Sequence, residues 1–264
     1  MNGERYADVR KHLPFLAGRE GLADLVERAL GITEIRRIFA ASAHEENPFA
    51  GVARRLNLKI ELDGLEGKVP KNGPVVFVAN HAFGGADALA LTATMRKCRD
   101  DMRMLANEEV NLLGGIKEWM IPVSLLQEGS AAGQNTKSLR VMLKHVRDGG
   151  CLGVFPAGRV AFWQKGGHRE PEWNQHVVKL LQRMEATIVP IWFYGAPSPL
   201  NRILSMISPF VRTALITKGL AEMRNSTISG RVGEVFSSKD LKAAGEHGAE
   251  WLRRKLETLR ESGN

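Results

Sequence analysis

Val76-Phe77-Val78-Ala79-Asn80-His81-Ala82-Phe83-Gly84-Gly85-Ala86-Asp87-Ala88-Leu89-Ala90-Leu91 changes character twice. It opens as an apolar run of strand length, breaks at Gly84-Gly85, and resumes as an Ala/Leu run of helix-forming composition. A buried strand feeding a helix is the repeating unit of an α/β domain with parallel strands. His81 and Asp87 flank the break, at the end of the strand, where open α/β sheets collect their functional groups.

Similar units lie on both sides of this stretch. Strands are expected at Lys59–Leu62, Pro74–Val78, Met102–Leu105, Cys151–Phe155, Thr187–Phe193 and Val232–Phe236. Between them, Leu139, Met142, Leu143 and Val146 share one helical face, and Val177, Leu180, Leu181 and Met184 share another. Ala249, Leu252, Leu256 and Leu259 mark a last amphipathic helix. Upstream, Leu22, Leu25, Val26 and Ala29 fall at i, i+3, i+4 and i+7, Ile32, Ile35, Ile38 and Phe39 follow, and Asn47-Pro48 breaks the pattern. The expected fold is α/β, a mostly parallel central sheet flanked by helices over residues 54–264, with a helical N-terminal extension over residues 1–53.

The 264 residues are 44% hydrophobic and 25% charged, the composition of a globular chain. Glu4, Arg5, Asp8, Arg10 and Lys11 precede any apolar stretch, so no secretory signal is read and a cytoplasmic location is expected. The longest uncharged run, Ala186–Asn201, contains Pro190, Pro197 and Pro199 and falls short of the ~20 apolar residues of a spanning helix. Two cysteines make neither a disulfide framework nor a four-ligand zinc site, and Cys151 reads as a small buried residue. The 37 Lys plus Arg against 29 Asp plus Glu give a net charge of +8. That surplus suits nucleic acid, an anionic membrane surface or a phosphorylated substrate. The aromatic residues occupy core-like positions instead of interleaving with a basic face, so nucleic acid is not expected.

On one continuous helix, His81 and Asp87 would stand about 240° apart, on different faces. Their pairing needs the turn, which Gly84-Gly85 permits. A carboxylate on one imidazole nitrogen fixes the tautomer and leaves the other nitrogen as a general base. His12, His44, His145, His176 and His247 have no ligand spacing, so no metal is expected. Gly129–Ser138 superficially matches a phosphate-binding loop, but Thr136 stands where a glycine must precede the lysine; a capped helix start at Asn135 or Thr136 explains it better.

Asn80-His81 with Asp87 resembles the His/Asp block of the glycerolipid acyltransferases, the lysophosphatidic acid acyltransferase-like superfamily. Gly153-Val154-Phe155-Pro156-Ala157-Gly158-Arg159-Val160 resembles the family's Phe-Pro-Glu-Gly segment, and Ile188-Val189-Pro190-Ile191 its Val-Pro segment. The resemblance covers roughly Leu58 to Gly195. Five residues separate His81 from Asp87 where the family usually has four, a spacing similar to the hemolysin-like branch whose relatives acylate amino-acid-containing lipids. Ala157 replaces the usual Glu, which leaves the acceptor head group open.

The resemblance implies transfer of a fatty acyl group from acyl carrier protein or coenzyme A to a lyso-lipid acceptor, with no cofactor. It makes His81 and Asp87 the catalytic pair and Phe155, Pro156, Gly158, Arg159 and Pro190 substrate-binding. Acyl transfer also needs donors for an oxyanion, and backbone N–H groups around Gly158 are the candidates. Arg159, with Lys165, His168 and Arg169 after it, suits a phosphate or carboxylate. Peripheral attachment to the cytoplasmic face of an anionic membrane follows; Pro199–Met223 is compatible with either interfacial insertion or an internal helix broken at Pro209. The alternative is a non-catalytic lipid-binding or membrane-perturbing, hemolysin-like protein on the same scaffold.

Overall fold

In the computed structural model, which describes residues 16–107, 116–123, 132–158, 160–164, 167–195 and 217–261, Val75–Ala79 forms a strand (β2) buried at all five positions. Such a strand requires cover on both faces. It lies between β5 (Cys151–Val154) and β8 (Thr187–Phe193), parallel to both. Beyond β5 the sheet continues in parallel through β3 (Met102–Asn107) to β4 (Met120–Val123). Beyond β8, β9 (Thr227–Val232) runs antiparallel, and β1 (Lys59–Asp63) pairs with it in parallel, giving the order β1-β9-β8-β2-β5-β3-β4. The short β10 (Phe236–Ser237) adds to β8 antiparallel, and β6 (Phe162–Gln164) with β7 (Gly167–Arg169) makes a separate hairpin. Edge strand β1 exposes Lys59, Glu61 and Asp63, charges that discourage pairing with another chain.

Helices α1 (Glu20–Ala29), α2 (Ile32–Ser42), α3 (Pro48–Arg55) and α4 (Gly85–Cys98) precede β3. Ile35 and Phe39 of α2, Phe49 and Val52 of α3 and Leu89 of α4 share one apolar cluster with Phe77 and Val189 of the sheet. The opposite face carries α5 (Ala132–Arg147), α6 (Gln175–Leu181), α7 (Ser238–Ala243) and α8 (Gly248–Glu261). There Met142, Val146, Leu181, Leu241, Leu252 and Leu256 pack with Val76, Val78, Leu152 and Val154. The expected class, a mostly parallel sheet flanked by helices, is the one observed.

The differences have local causes. The last expected strand lies earlier, at Thr227–Val232: Ile228, Gly230 and Val232 alternate inward between more exposed neighbours, a period-2 pattern broken up to the eye by a glycine. Met120–Val123 forms an additional strand at the other edge, where Pro122 is tolerated. Asn47-Pro48 opens α3 instead of merely breaking a pattern: the Asn47 side chain accepts the Ala50 N–H and Pro48 takes the first helical position. The helix expected from Asn135 or Thr136 starts at Ala132. In α1 the periodicity gives the helix but not its buried side. Leu22 and Leu25 are 40% and 62% exposed, whereas Ala23 and Glu27 face inward and Glu27 pairs with Arg36.

The opposite rim of the sheet from His81, where strands begin, is tied by one side chain. Arg99, nearly buried, donates to the carbonyls of Pro70, Gly73 and Gly149 and forms two bonds to the Asp101 carboxylate. These partners lie in the segments that enter β2, β3 and β5. Replacing the guanidinium strands several acceptors at once, each a cost of about 1–3 kcal/mol when it stays dry. Arg99→Ala is expected to lose roughly 3 kcal/mol. Calorimetry should show a melting temperature about 6–12 °C lower, with turnover per folded molecule unchanged; an unshifted transition would dismiss the tie.

Candidate active site

Three neighbouring strands, β5, β2 and β8, end on the same rim of the sheet: Val78 is in register with both Val154 and Pro190, Ala79 with Ile191, and β8 runs two residues further, to Phe193. Their exits carry Phe155-Pro156, Asn80-His81 and Tyr194-Gly195. Asn80 lies one residue past the last paired position of β2, and its side chain continues the ladder. Its Oδ1 accepts the Phe193 N–H at 2.7 Å and its Nδ2 donates to the Phe193 carbonyl at 3.0 Å. An amide side chain can do this because it carries the donor and acceptor of a peptide group. His81 therefore leaves the sheet from a fixed point.

The chain then turns through Ala82 and Phe83 to Gly84, whose φ of +87° favours glycine, and α4 begins at Gly85. Asp87 falls in the first turn of that helix, where negative charge is favoured. Its carboxylate is fully buried and lies 3.1 and 3.2 Å from Nδ1 of His81. Phe83 and Ala88 donate their N–H groups to its two oxygens at 2.9 and 2.8 Å. An ionised carboxylate only accepts, so Nδ1 of the histidine carries the proton and Nε2 of the neutral ring is left as the acceptor. The His81 side chain keeps 14% of its surface exposed. The turn that pairing required is the one present.

Phe155 stacks on the imidazole, ring centroids 4.0 Å apart and planes inclined by 11°. Pro156 is buried, and its carbonyl accepts the N–H of Asn174, the residue that caps α6. Gly158 adopts φ +64° and donates its own N–H to the Phe155 carbonyl, closing a turn. Arg159 and Lys165 lie outside the described residues, as do the side chains of His168 and Arg169. Ala157 is buried in the apolar cluster that also holds Trp173 and Val154, so a carboxylate at this position would face hydrocarbon here. Pro190 is buried within β8, its carbonyl accepting the Gly233 N–H. It shapes the strand that ends at Phe193 and has no described contact with the imidazole.

Residues the sequence reading did not single out complete the surroundings. Glu170 accepts the His81 N–H on Oε1 at 2.6 Å, while its Oε2 accepts the Trp173 indole N–H at 2.9 Å. Burial raises the Glu170 carboxyl above the usual range, offset in part by the Trp173 and His81 N–H bonds. The Ala161 N–H donates to the His81 carbonyl. An acidic residue directly after the basic run is the only signal in the sequence. Gly195, with φ +118°, lies under the Phe83 ring: a Cβ there would come within 2.3 Å of it.

Among the described residues there is no cluster of side chains suited to a metal and no helix long and apolar enough to cross a membrane. Cys151 is buried, and burial pushes its thiol up to about 12, so it is no nucleophile at neutral pH. Of the Pro199–Met223 stretch, residues 199–216 lie outside the described set. Thr217 and Leu220 are buried, with Ala221 and Met223 against the first apolar cluster.

The chain is similar to two proteins named lyso-glycine lipid O-acyltransferase. The one from Phocaeicola vulgatus is 31% identical over 144 residues, 54% of this chain and 50% of the relative. That from Bacteroides thetaiotaomicron is 29% identical over 146 residues, 54% of this chain and 51% of the relative. The match thus spans about half the length of each relative. The fold is that of the crystal structure of 1-acyl-sn-glycerophosphate (LPA) acyltransferase, PlsC, from Thermotoga maritima, with a TM-score of 0.52 and 15% identity, covering 97% of this chain and 90% of that one. The Acyltransferase family model matches residues 59–194, from the start of β1 to the exit of β8 with His81, Asp87 and Phe155 inside it, and the chain belongs to that family.

Proposed function

We propose that the protein transfers a fatty acyl group from a thioester of acyl carrier protein or coenzyme A to the hydroxyl of a lyso-lipid, with His81 as general base. The observation that carries this reading is the His81–Asp87 pair, held at 3.1 and 3.2 Å where β2 leaves the sheet. Nε2 takes the hydroxyl proton as the acceptor oxygen attacks the thioester carbonyl. The tetrahedral oxyanion collapses, the C–S bond breaks, and the leaving thiolate receives the proton from the imidazolium. Asp87 holds the ring in the tautomer that makes Nε2 basic and offsets the charge that develops on it. The names of the two relatives favour a hydroxyl acceptor on an amino-acid-containing lipid over an amine.

Attachment to the cytoplasmic face of an anionic membrane belongs to the same proposal. It is supported by the net charge of +8 and by the exposed Leu22 and Leu25. Phe155 and Pro156 would border the acyl donor, and Arg159 would hold an anionic head group.

Release of free thiol from an acyl thioester in the presence of lyso-lipids, with mass spectrometry of the product, tests the activity. His81→Ala should lower kcat by about 10²- to 10⁴-fold without loss of fold. Asp87→Asn should fall between that variant and wild type. Full turnover by His81→Ala would remove the pair from the mechanism, and no thiol release with any lyso-lipid would favour the non-catalytic reading.

Gly195→Ala should also impair turnover, because the added methyl displaces the Phe83 ring and loosens the Phe83 N–H bond to Asp87. Misplacement on the order of 1 Å costs up to about 100-fold; wild-type kcat would show that the turn absorbs the change.

Sedimentation with liposomes tests attachment. Binding should require anionic lipid and weaken with salt, since the fields are screened over about 8 Å at physiological ionic strength. Equal binding to neutral vesicles would assign it to apolar insertion, and no binding to either would overturn it.

A further inference from the structure

We infer that Glu170, braced by Trp173, is a positioning residue that fixes the backbone of His81 and thereby aims its Nε2. The inference rests on the reading of His81 as the base.

The ladder between β2 and β8 ends at Ala79 and Ile191, and the Asn80 side chain uses the groups of Phe193. The His81 N–H therefore lies beyond the reach of the sheet, and the Glu170 carboxylate, 89 residues away in sequence, accepts it. On the other side of the same residue, the Ala161 N–H holds the His81 carbonyl. Both peptide groups flanking the His81 side chain are thus gripped, one by Glu170 and the other by Ala161, the residues on either side of the β6–β7 pair. Asp87 fixes the ring by its Nδ1 edge and Phe155 by its face. With both peptides held, the imidazole has little freedom besides rotation about its own χ angles, and these two contacts restrict that.

The carboxylate is suited to this in a way an amide is not. Each of its oxygens accepts one N–H, from His81 and from Trp173. A glutamine offers one oxygen and one NH₂ group, so one of those donors would face another donor. Glu170→Gln thus breaks the grip with almost no change in volume. Trp173→Phe removes only the brace, and keeps the carboxylate and most of the ring packing.

The test compares wild type, Glu170→Gln, Trp173→Phe, His81→Ala and the double variant His81→Ala/Glu170→Gln. Thiol release from an acyl thioester with a lyso-lipid acceptor gives kcat and KM. Glu170→Gln should lower kcat about 10- to 100-fold with both KM values nearly unchanged, and Trp173→Phe should lower it less. In the His81→Ala background Glu170→Gln should have no further effect, because a residue that acts only through the base has nothing left to aim. A kcat within about twofold of wild type, or an equal factor in both backgrounds, would assign Glu170 a purely structural role and overturn the inference.

A second readout needs no substrate. With ¹⁵N-labelled histidine, the Nδ1–H resonance that His81→Ala removes should shift or broaden in Glu170→Gln while the other histidines keep theirs; an unmoved resonance would equally overturn it. Loss of activity in His81→Ala with full activity in Glu170→Gln refutes the positioning role alone, whereas full activity in His81→Ala refutes the base and this inference together.

Discussion

The amide of Asn80, bonded to both main-chain groups of Phe193, decides where β2 stops and β8 begins to diverge. A backbone pair at this position would carry the strand one residue further and send His81 across the sheet. A side chain that imitates a peptide keeps the two strands joined while freeing the main chain to turn. The pair is buried, so neither amide group has water as an alternative partner, and the geometry is held by the cost of leaving a donor or acceptor unmet. From that point the distances of the site follow: a short turn, a glycine at positive φ, and a helix whose first turn brings Asp87 back beneath the histidine.

Around this frame the site is enclosed by sequence-distant parts. Phe155 comes from the β5 exit, Phe83 from the turn, Gly195 from the β8 exit, and Glu170 with Trp173 from the return loop. Phe155, Phe83, Gly195 and Glu170 each touch the histidine, the aspartate or the turn between them, and Trp173 acts through Glu170. The residue spacing of the His/Asp block therefore works only in concert with the loop that follows β5. The absence of a carboxylate at Ala157 fits this arrangement: that side chain points into hydrocarbon, and the acidic groups beside His81 are Asp87, on its ring, and Glu170, on its main chain.

Much of this was legible in the chain. Five consecutive apolar residues before Asn80 can be satisfied only in the middle of a covered sheet, and the angular argument on His81 and Asp87 forces a turn between them. The identity of the exits, and hence the place of the site, followed from those two facts. Helical periodicity showed α1 but not which side faces inward, because Glu27 can be buried only when Arg36 is there to meet it. β9 is hard to place from sequence because Gly230 stands at one of its three inward positions, between Ile228 and Val232. Glu170 has no signature in the sequence because its meaning lies in a bond to a residue far away along the chain, and nothing local to a charged loop announces such a bond.

The two rims of the sheet differ in how they open. At the rim where strands begin, one guanidinium closes segments belonging to three strands, so these segments cannot fray one at a time; their amides should exchange with solvent only through large-scale opening. The rim that carries His81 is closed instead by bonds shared among several loops, Asn80 to Phe193, Glu170 and Ala161 to His81, and Phe83 to Asp87. The two rims are thus closed by different residues, and a substitution that loosens one leaves the bonds of the other in place.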